Sequence, residues 1–311
     1  MAEKLKKFPV PVLPTFVGAL TLSNVYGGLG YTWFRYLIMI VATIVILTYF
    51  LKLIFCTSTC IGEYKQTVPC SLYAGLSMCM MILGSFYYEI GLSFGKWIWL
   101  FAICVHAVHI CVFTLNNVIL KRDINTTVPS WFVTYNGIMV ACVTGGAMNM
   151  NPLLKIITIY GIIIYLVLIP IMIVRLIKVP VKTPVYHTMP VVLAPCSLCV
   201  VSLVNVYPEP NAFLLKFMYF CVLASIVFIL IKLPDFFSFD FMPSFAGMTF
   251  PMAIGIVATN KMAAYLLANG KESASAMIMQ LSGFQLFVTT MLVGYVLLNF
   301  LRMLLGKEKR S

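Results

Sequence analysis

Two histidines in an apolar stretch are the side chains of this sequence best suited to carry a proton. His106 and His109 are three residues apart, so they lie on the same face of a helix. Histidine changes its charge near neutral pH and could therefore move a proton together with a substrate. The alternative is that both rings are hydrogen-bonded between packed helices. The third histidine, His187, is expected at a membrane interface.

The acidic residues lie where they can do little chemistry. All nine lie in a terminus, in a loop or at the edge of an apolar segment: Glu3, Glu63, Glu89, Asp123, Glu209, Asp235, Asp240, Glu272 and Glu308. Carboxylates inside a membrane normally mark proton relays and cation sites. If the apolar segments enclose a pore, an uncharged pore with basic residues at its mouths favours anions that bind weakly and leave fast.

No pattern of side chains indicates an enzyme, a cofactor or a metal site. The sequence has no glycine-rich nucleotide loop, no HExxH motif and no serine with a nearby buried acid. Of the ten cysteines, Cys56 and Cys60 are expected at a reducing face, and Cys196 and Cys199 are expected to pack inside a helix. We therefore expect no enzymatic activity, no cofactor and no bound metal.

A phenylalanine among small residues is the strongest candidate for a functional side chain. Residues 242–261 are apolar enough to span a bilayer, but they contain Pro243, Gly247, Pro251 and Gly255. A helix in contact with lipid gains nothing from such residues, so this one is expected to face a cavity or to pack tightly. Pro251 should bend the helix and turn Phe250 inward, where the ring would close a narrow pore. The alternative is that Phe250 packs in the core.

The composition places these residues in a membrane protein. Of the 311 residues, 62% are hydrophobic and 10% are charged, which is too apolar for a soluble domain of this size. Ten apolar segments are each near the roughly 20 residues that cross a bilayer. They lie at about 9–28, 34–56, 70–90, 95–119, 130–148, 152–176, 188–206, 211–233, 243–265 and 276–305. Their connections are short, so residues 1–311 are predicted to form a single transmembrane domain.

The basic residues predict the orientation of the chain. Lys and Arg number 21, of which 15 lie at the termini and in the loops on the same side, against 6 in the opposite loops. The excess places both termini in the cytoplasm. Because these residues lie at helix ends, the net charge of +12 does not indicate a nucleic-acid partner.

The odd-numbered segments begin alike, which indicates a repeat. Each begins with an apolar residue and a proline: Leu13-Pro14, Val68-Pro69, Val128-Pro129, Met189-Pro190 and Met242-Pro243. The prolines are 55, 60, 61 and 53 residues apart. This spacing predicts an all-α polytopic membrane protein with ten transmembrane helices, arranged as five helical hairpins with quasi-five-fold symmetry around a central pore.

The small residues near the middle of the odd-numbered helices are candidates for pore lining or for helix kinks. They are Gly18, Gly75, Gly137, Pro195, and Gly247 with Pro251. The alternative is that they allow close packing between helices. The second, sixth, eighth and tenth segments are rich in Ile, Leu, Val and Phe, as suits helices in contact with lipid, whereas the fourth is more mixed.

Two stretches resemble a known family. Residues 247–259, GMTFPMAIGIVAT, resemble the ninth helix of the tellurite-resistance/dicarboxylate transporter family, which includes the plant slow anion channels and their bacterial homologues. Residues 187–199, HTMPVVLAPCSLC, resemble its seventh helix. The resemblance implies a homotrimer in which each protomer has its own pore, lined by the odd-numbered helices and closed by a phenylalanine that corresponds to Phe250. It also implies transport of chloride, nitrate, malate, sulfite or tellurite-related species.

Three functions are compatible with these observations. The first is an anion channel or channel-like transporter for small inorganic or organic anions, surrounded by lipid in the cell (plasma) membrane. The second is a proton-coupled C4-dicarboxylate carrier or a sulfite or tellurite-related exporter, in which His106 and His109 would matter. The third is a structural or receptor-like membrane protein with a sealed centre.

Overall fold

The computed structural model describes residues 2–121 and 123–306. Within these residues the chain forms helices and turns without a strand. In chain order the α-helices are α1 (Ala2–Lys6), α2 (Val12–Gly28), α3 (Thr32–Phe55), α4 (Thr57–Tyr64), α5 (Thr67–Glu89), α6 (Phe94–Phe113), α7 (Trp131–Tyr135), α8 (Val140–Thr144), α9 (Asn151–Lys178), α10 (Leu193–Val206), α11 (Ala212–Phe236), α12 (Thr249–Ala268) and α13 (Glu272–Leu304). A π-helix at Thr114–Lys121 extends α6, and 3₁₀ helices lie at Ile124–Thr126, Gly137–Met139, Thr183–Val192 and Pro243–Met248. The residues outside this description are Met1, Arg122 and 307–311. Among them are Glu308 and four basic residues that were counted for orientation: Arg122 and three within 307–311.

Within the described residues, eight helices are long and apolar enough to cross a membrane. They are Thr32–Phe55, Thr67–Glu89, Phe94–Lys121, Asn151–Lys178, Thr183–Val206, Ala212–Phe236, Pro243–Ala268 and Glu272–Leu304. The chain is therefore a polytopic helical membrane protein. Two of the ten predicted segments differ from these eight. The first contains α2, which has 17 residues, and the fifth is a broken helix.

The break in the predicted segment 130–148 lies where neighbouring helices make close contacts. Helix α7 ends at Tyr135, and the amide of Asn136 donates a hydrogen bond to the carbonyl of Gly161 (2.9 Å) in α9. Gly137 follows, where a Cβ would lie 2.8 Å from the His106 ring and 2.9 Å from the sulfur of Met78. The backbone thus leaves the α-helical path where a side chain has no room. The number of membrane spans stays a prediction.

Burial separates an inner from an outer layer. The apolar windows of Thr67–Glu89 and Thr183–Val206 are 89% buried and that of Pro243–Ala268 is 67% buried, against 28% to 33% for the other five candidate spans. The buried helices are those rich in Gly, Ala, Ser, Cys and Pro. The exposed ones carry the branched and aromatic residues, such as Ile177 and Phe213, which are about four-fifths exposed. This division agrees with the alternation seen in the sequence.

Three inner helices end in the same glycine turn. Gly30, Gly91 and Gly270 follow α2, α5 and α12 with positive φ angles of 95°, 90° and 71°. The next residue in each turn donates its N–H to a carbonyl five residues back, at 2.9 to 3.0 Å. This left-handed glycine cap stops the helix and starts the outer helix of a hairpin.

The inner elements contact one another in a closed ring. Helix α2 packs against α5 and α12, α12 packs against α10, α10 packs against α8, and α7 and α8 pack against α5. Glycines permit the closest approaches: a Cβ on Gly18 would lie 2.7 Å from the backbone of α12, and one on Gly75 would lie 2.9 Å from the Pro14 nitrogen. The ring leaves space along its axis.

Candidate functional site

Two cavities lie inside the ring of inner helices. The first, here called the N-side cavity, has a volume of about 640 Å³ and is lined by the amino-terminal parts of these elements. The second, the C-side cavity, has a volume of about 720 Å³ and is lined mainly by their carboxyl-terminal parts. Among the described residues, Phe250 alone contributes to both linings. Its side chain is 5% exposed, so one ring lies between two open spaces.

The backbone before Phe250 changes helix type. The 3₁₀ helix Pro243–Met248 becomes α12 at Thr249, and Phe250 and Pro251 lie in the first turn of α12. Proline is tolerated in a first turn because its missing N–H would have no intrahelical partner there. The change from 3₁₀ to α geometry lies immediately before Phe250 and Pro251, and the bend expected from Pro251 stays a prediction.

Thr249 fixes this turn against the neighbouring helix. Its hydroxyl lies 2.8 Å from the carbonyl of Ala246 and 3.3 Å from the carbonyl of Pro14 in α2. Gly18, one turn further along α2, lets the two backbones meet at Thr249 and Phe250. The position of the Phe250 ring is therefore set by two helices that are more than 200 residues apart in sequence.

The N-side cavity is apolar and rich in proline. Seven prolines line it: Pro9, Pro11, Pro14, Pro69, Pro184, Pro243 and Pro251. The predicted residues Gly137, Gly247 and Pro251 are part of this lining, whereas Gly18 and Gly75 lie in helix–helix contacts. Pro195 is buried in the first turn of α10.

An ion pair between a buried lysine and a partly exposed glutamate lies at the N-side cavity. Among the described residues that line this cavity, one is charged, and it is Glu63. Both of its carboxylate oxygens accept hydrogen bonds from Lys52 Nζ, at 2.7 and 2.9 Å, and the Tyr73 hydroxyl donates a third at 2.6 Å. Lys52 is completely buried, donates also to the carbonyl of Phe8 (2.8 Å), and lies 5.4 Å from the centre of the Tyr49 ring. The acid that faces this cavity is thus neutralised locally.

The C-side cavity is more polar than the N-side cavity and carries a positive charge. Arg35 bonds to Asn24 (2.7 Å) and forms an ion pair with Glu89 (2.5 Å). Lys261 also lines the cavity, and its ammonium forms no hydrogen bond or ion pair with any other described residue. The three charged lining residues therefore leave one net positive charge.

Lys261 and Phe250 share one face of α12. Phe250, Ile254, Val257 and Lys261 all line the C-side cavity, at the spacing of successive helical turns. At 1.5 Å per residue, the ammonium-bearing residue is about 16 Å along the helix from the phenylalanine. A cation at the mouth and an apolar ring at depth thus follow each other along one helix.

The two histidines lie between α5, α6 and α7. His106 Nε2 donates to the carbonyl of Thr134 (2.8 Å), and its Nδ1 lies 2.8 Å from the Ser77 hydroxyl. His109 Nε2 lies 3.3 Å from the Thr134 hydroxyl, and its Nδ1 lies 2.6 Å from the Tyr64 hydroxyl. Both rings are buried, and all four ring nitrogens have a partner.

Tyr64 contacts His109 from the end of a short helix. Tyr64 ends α4, outside the candidate spans, and burial raises the pKa of its phenol well above the ordinary value. The phenol therefore stays protonated, and its hydroxyl lies 2.6 Å from Nδ1 of His109. His187, expected at an interface, is fully buried, bonds through Nε2 to the carbonyl of Phe236 (2.9 Å), and stacks on Phe245 with ring centres 3.7 Å apart.

Two functional candidates did not emerge from the sequence, although signals for both were present. Lys52 is a lysine inside the predicted segment 34–56, and a charge within a membrane segment requires a partner. Lys261 was counted only for orientation, yet its spacing of eleven residues from Phe250 places both on one helical face. Among the described residues, no group of three or more His, Cys, Asp or Glu side chains is arranged to hold a metal ion.

One comparison with known proteins identifies a family. The family described as SLAC1, voltage-dependent anion channel, matches residues 8–304 of the chain. A comparison with curated proteins finds no match. The matched range includes both cavities.

Proposed function

The chain belongs to the voltage-dependent anion channel (SLAC1) family, and from this membership we propose that it is an anion channel in which Phe250 is the gate. The path runs from the N-side cavity, past the phenylalanine ring, to the C-side cavity. Chloride, nitrate and small organic anions are the proposed substrates.

The observation that carries this proposal is the position of Phe250. Its ring is the one described side chain that borders both cavities. An apolar ring in a narrow passage blocks an ion by its size, and it also excludes water, so that the ion would lose its hydration shell with nothing to replace it. Motion of this ring would join the two cavities.

The charges along the path support anions as the permeating species. At the N-side mouth the Glu63 carboxylate is paired with Lys52, so it presents little net negative charge. At the C-side mouth Lys261 adds an unpaired positive charge to the Arg35–Glu89 pair. A weakly positive pathway concentrates anions without holding them for long.

The architecture completes the proposal. The ten segments form one transmembrane domain of five hairpins with quasi-five-fold symmetry, in which α2 and the broken segment 131–144 act as the first and fifth spans. Gly137, Gly247 and Pro251 line the path, while Gly18 and Gly75 bring α2 against α12 and α5. Pro195 sets the start of α10. We place both termini in the cytoplasm, the chain in the plasma membrane and three copies in the assembly.

The test is an ion-flux measurement on the purified protein in liposomes. A channel gives electrogenic anion flux without a pH gradient, and its reversal potential follows the anion gradient. A series with chloride, nitrate, malate and sulfite ranks the substrates. Flux that requires a pH gradient would replace the channel by a proton-coupled carrier, and the absence of flux in the parent and in an opened Phe250 variant would indicate a sealed centre.

A second candidate is a proton-coupled carrier, which one observation favours. His109 lies between the Tyr64 hydroxyl and the Thr134 hydroxyl. His106 lies between the Thr134 backbone carbonyl and the Ser77 hydroxyl, so both buried rings are hydrogen-bonded on two sides. The Ser77 hydroxyl also donates to the carbonyl of Ala74 (2.9 Å). Its oxygen can therefore accept a hydrogen bond from Nδ1 of His106 when that nitrogen is protonated. His106 could thus be hydrogen-bonded in both its neutral and its charged form.

A further inference from the structure

Arg175 is a buried charge without a counter-charge. It lies near the carboxyl end of α9 and is 4% exposed. Its Nη1 donates to the carbonyl of Val179 (2.8 Å), but its Nε is buried and has no hydrogen-bond partner among the described residues. Arg175 takes part in none of the ion pairs found among these residues, which join Arg35 to Glu89, Lys52 to Glu63 and Lys232 to Asp235.

A role in ending the helix explains only part of this arrangement. Basic side chains near a helix carboxyl end bond to the last carbonyls and interact favourably with the helix dipole. The bond to Val179 is of this kind. A guanidinium has five N–H donors, however, and a buried charge is unfavourable unless it is paired and its donors are used. The guanidinium therefore has an unused donor and no counter-charge among the described residues, while Arg175 itself lines a groove at the surface.

The surroundings of Arg175 indicate the kind of anion. A cavity of about 420 Å³ at the protein surface is lined by Ile124, Pro170, Ile171, Val174, Arg175, Lys178 and Val179. Lys178 is exposed one turn beyond Arg175, so two cations lie at the end of the groove. Ile171 and Val174, each about half exposed, form an apolar wall along the outer layer. The groove is therefore cationic at one end and apolar along its length.

We propose that this groove binds an anionic phospholipid. The phosphate accepts hydrogen bonds from the Arg175 guanidinium and the Lys178 ammonium, and an acyl chain lies against Ile171 and Val174. The carboxyl end of α9 lies on the side that we assign to the cytoplasm, where anionic lipids and basic pockets meet. The proposal stands apart from ion conduction, because the groove is on the outside of the ring.

The apolar wall distinguishes a lipid from other anions. A free phosphate ion would contact the two cations and leave Ile171 and Val174 unused. An acidic side chain from a second copy of this chain would also neutralise the two cations, but it would not cover the apolar wall of the groove. A single phospholipid molecule neutralises the cations with its phosphate and covers the apolar wall with an acyl chain.

The test compares thermal unfolding and lipid binding in a neutral detergent. The purified protein is titrated with dioleoylphosphatidylglycerol or with dioleoylphosphatidylcholine, and bound lipids are counted by native mass spectrometry. We expect the anionic lipid to raise the Tm and the zwitterionic lipid to leave it unchanged. Arg175→Gln should weaken binding of the anionic lipid by about tenfold or more, because a charge-assisted contact is lost.

The change in Tm of Arg175→Gln in detergent also separates a lipid site from a purely structural arginine. In detergent without anionic lipid, Arg175→Gln should melt no lower than the parent, because an uncompensated buried charge has been removed. Lys216→Gln is the matched control, since it removes an exposed cation from the outer helix α11. It should respond to the anionic lipid as the parent does.

Three results would overturn the proposal. Equal protection by inorganic phosphate or by glycerophosphoglycerol would show a site for free anions. Equal lipid binding by the parent and Arg175→Gln, with a lower Tm for the variant in detergent, would make Arg175 a structural cap. A changed subunit number in Arg175→Gln, measured by light scattering, with unchanged lipid binding would assign the groove to a contact between copies.

Discussion

Phe250 has the same size as other buried phenylalanines of the protein but a different surrounding. Phe245, five residues earlier, is fully buried against the His187 and Phe241 rings. Phe250 has cavities on two sides. Removing the first ring breaks packing, whereas removing the second also joins two spaces, and this difference allows gate and core to be distinguished.

We expect Phe250→Ala to raise anion current by about tenfold or more, a barrier change of about 1.4 kcal/mol. Selectivity among anions should change little, because no charge is removed. The measurement is the current or flux per protein in planar bilayers or liposomes.

Phe245→Ala is the control for this experiment. It removes the same volume from the adjacent 3₁₀ helix, and a buried phenylalanine replaced by alanine costs about 3–5 kcal/mol of stability. It should lower the Tm without raising current. If Phe250→Ala also lowers the Tm and gives no more current than the parent, its ring belongs to the core.

The Lys52–Glu63 pair sets the charge at the N-side mouth. Lys52 has no exposed surface, while Glu63 faces the cavity and accepts three hydrogen bonds. The carboxylate alone would repel an entering anion, and the ammonium behind it cancels that effect. Removing the negative charge of Glu63 should therefore change the conductance in the opposite direction to removing the positive charge of Lys52.

Glu63→Gln should increase anion flux from the N side at low salt, because it leaves the positive charge of Lys52 beside the mouth. Lys52→Met should reduce flux, because it leaves Glu63 negative. Both effects should shrink between about 0.01 and 0.15 M salt as the Debye length falls from about 30 to 8 Å. Equal flux through both variants at low salt would mean that this pair has no influence on the permeating ion.

At the scale of elements, the α5–α6 hairpin packs on α7 through the histidines. His106 bonds to both Ser77 of α5 and Thr134 of α7, and His109 reaches Thr134 and Tyr64. Gly137 makes room for the His106 ring beside the broken segment. The sequence left open whether these rings are structural or carry a proton, and that question stays open.

For a channel, His106→Gln and His109→Gln should each retain anion flux in the absence of a pH gradient. Glutamine can still donate and accept one hydrogen bond, so the hairpin contacts are kept in part. Flux is measured with and without a pH gradient, and size-exclusion chromatography checks assembly. Loss of transport in a variant that still assembles would favour the proton-coupled carrier.

At the scale of the whole molecule, the hairpins determine which loops share a side. The Lys121 ammonium donates to the carbonyl of Lys65, so these two loops lie together at the N side. Lys96 and Glu209 lie after the carboxyl ends of α5 and α10. The parallel orientation of the hairpins and the cytoplasmic termini stay predictions that labelling can test.

Single cysteines at positions 65 and 121 should react only with reagents that reach the cytoplasm, and those at 96 and 209 only with external reagents. The background must lack the ten native cysteines, of which Cys104 and Cys111 are exposed on α6. Labelling of Lys65→Cys and Lys96→Cys from one side would contradict both the orientation and the hairpin repeat. The homotrimer is a separate prediction, and light scattering of the protein in detergent would measure the number of subunits.

The sequence determined the class of the protein. The apolar runs predicted a polytopic helical membrane protein, and the eight helices long and apolar enough to span a membrane agree with it. Hydrophobicity is a local property, so it can be read from each segment alone. Residues 187–199 and 247–259 also indicated the family, and the match over residues 8–304 confirms it.

Only the tertiary structure decided what each side chain meets. The pairing of Lys52 with Glu63, the contact of Gly18 with the backbone at Phe250, and the two cavities that share one ring all join residues from different helices. Gly137, at the break, lies against the ring of a histidine 31 residues earlier in the chain. Such contacts depend on how helices pack in space, which the periodicity of a single segment does not specify.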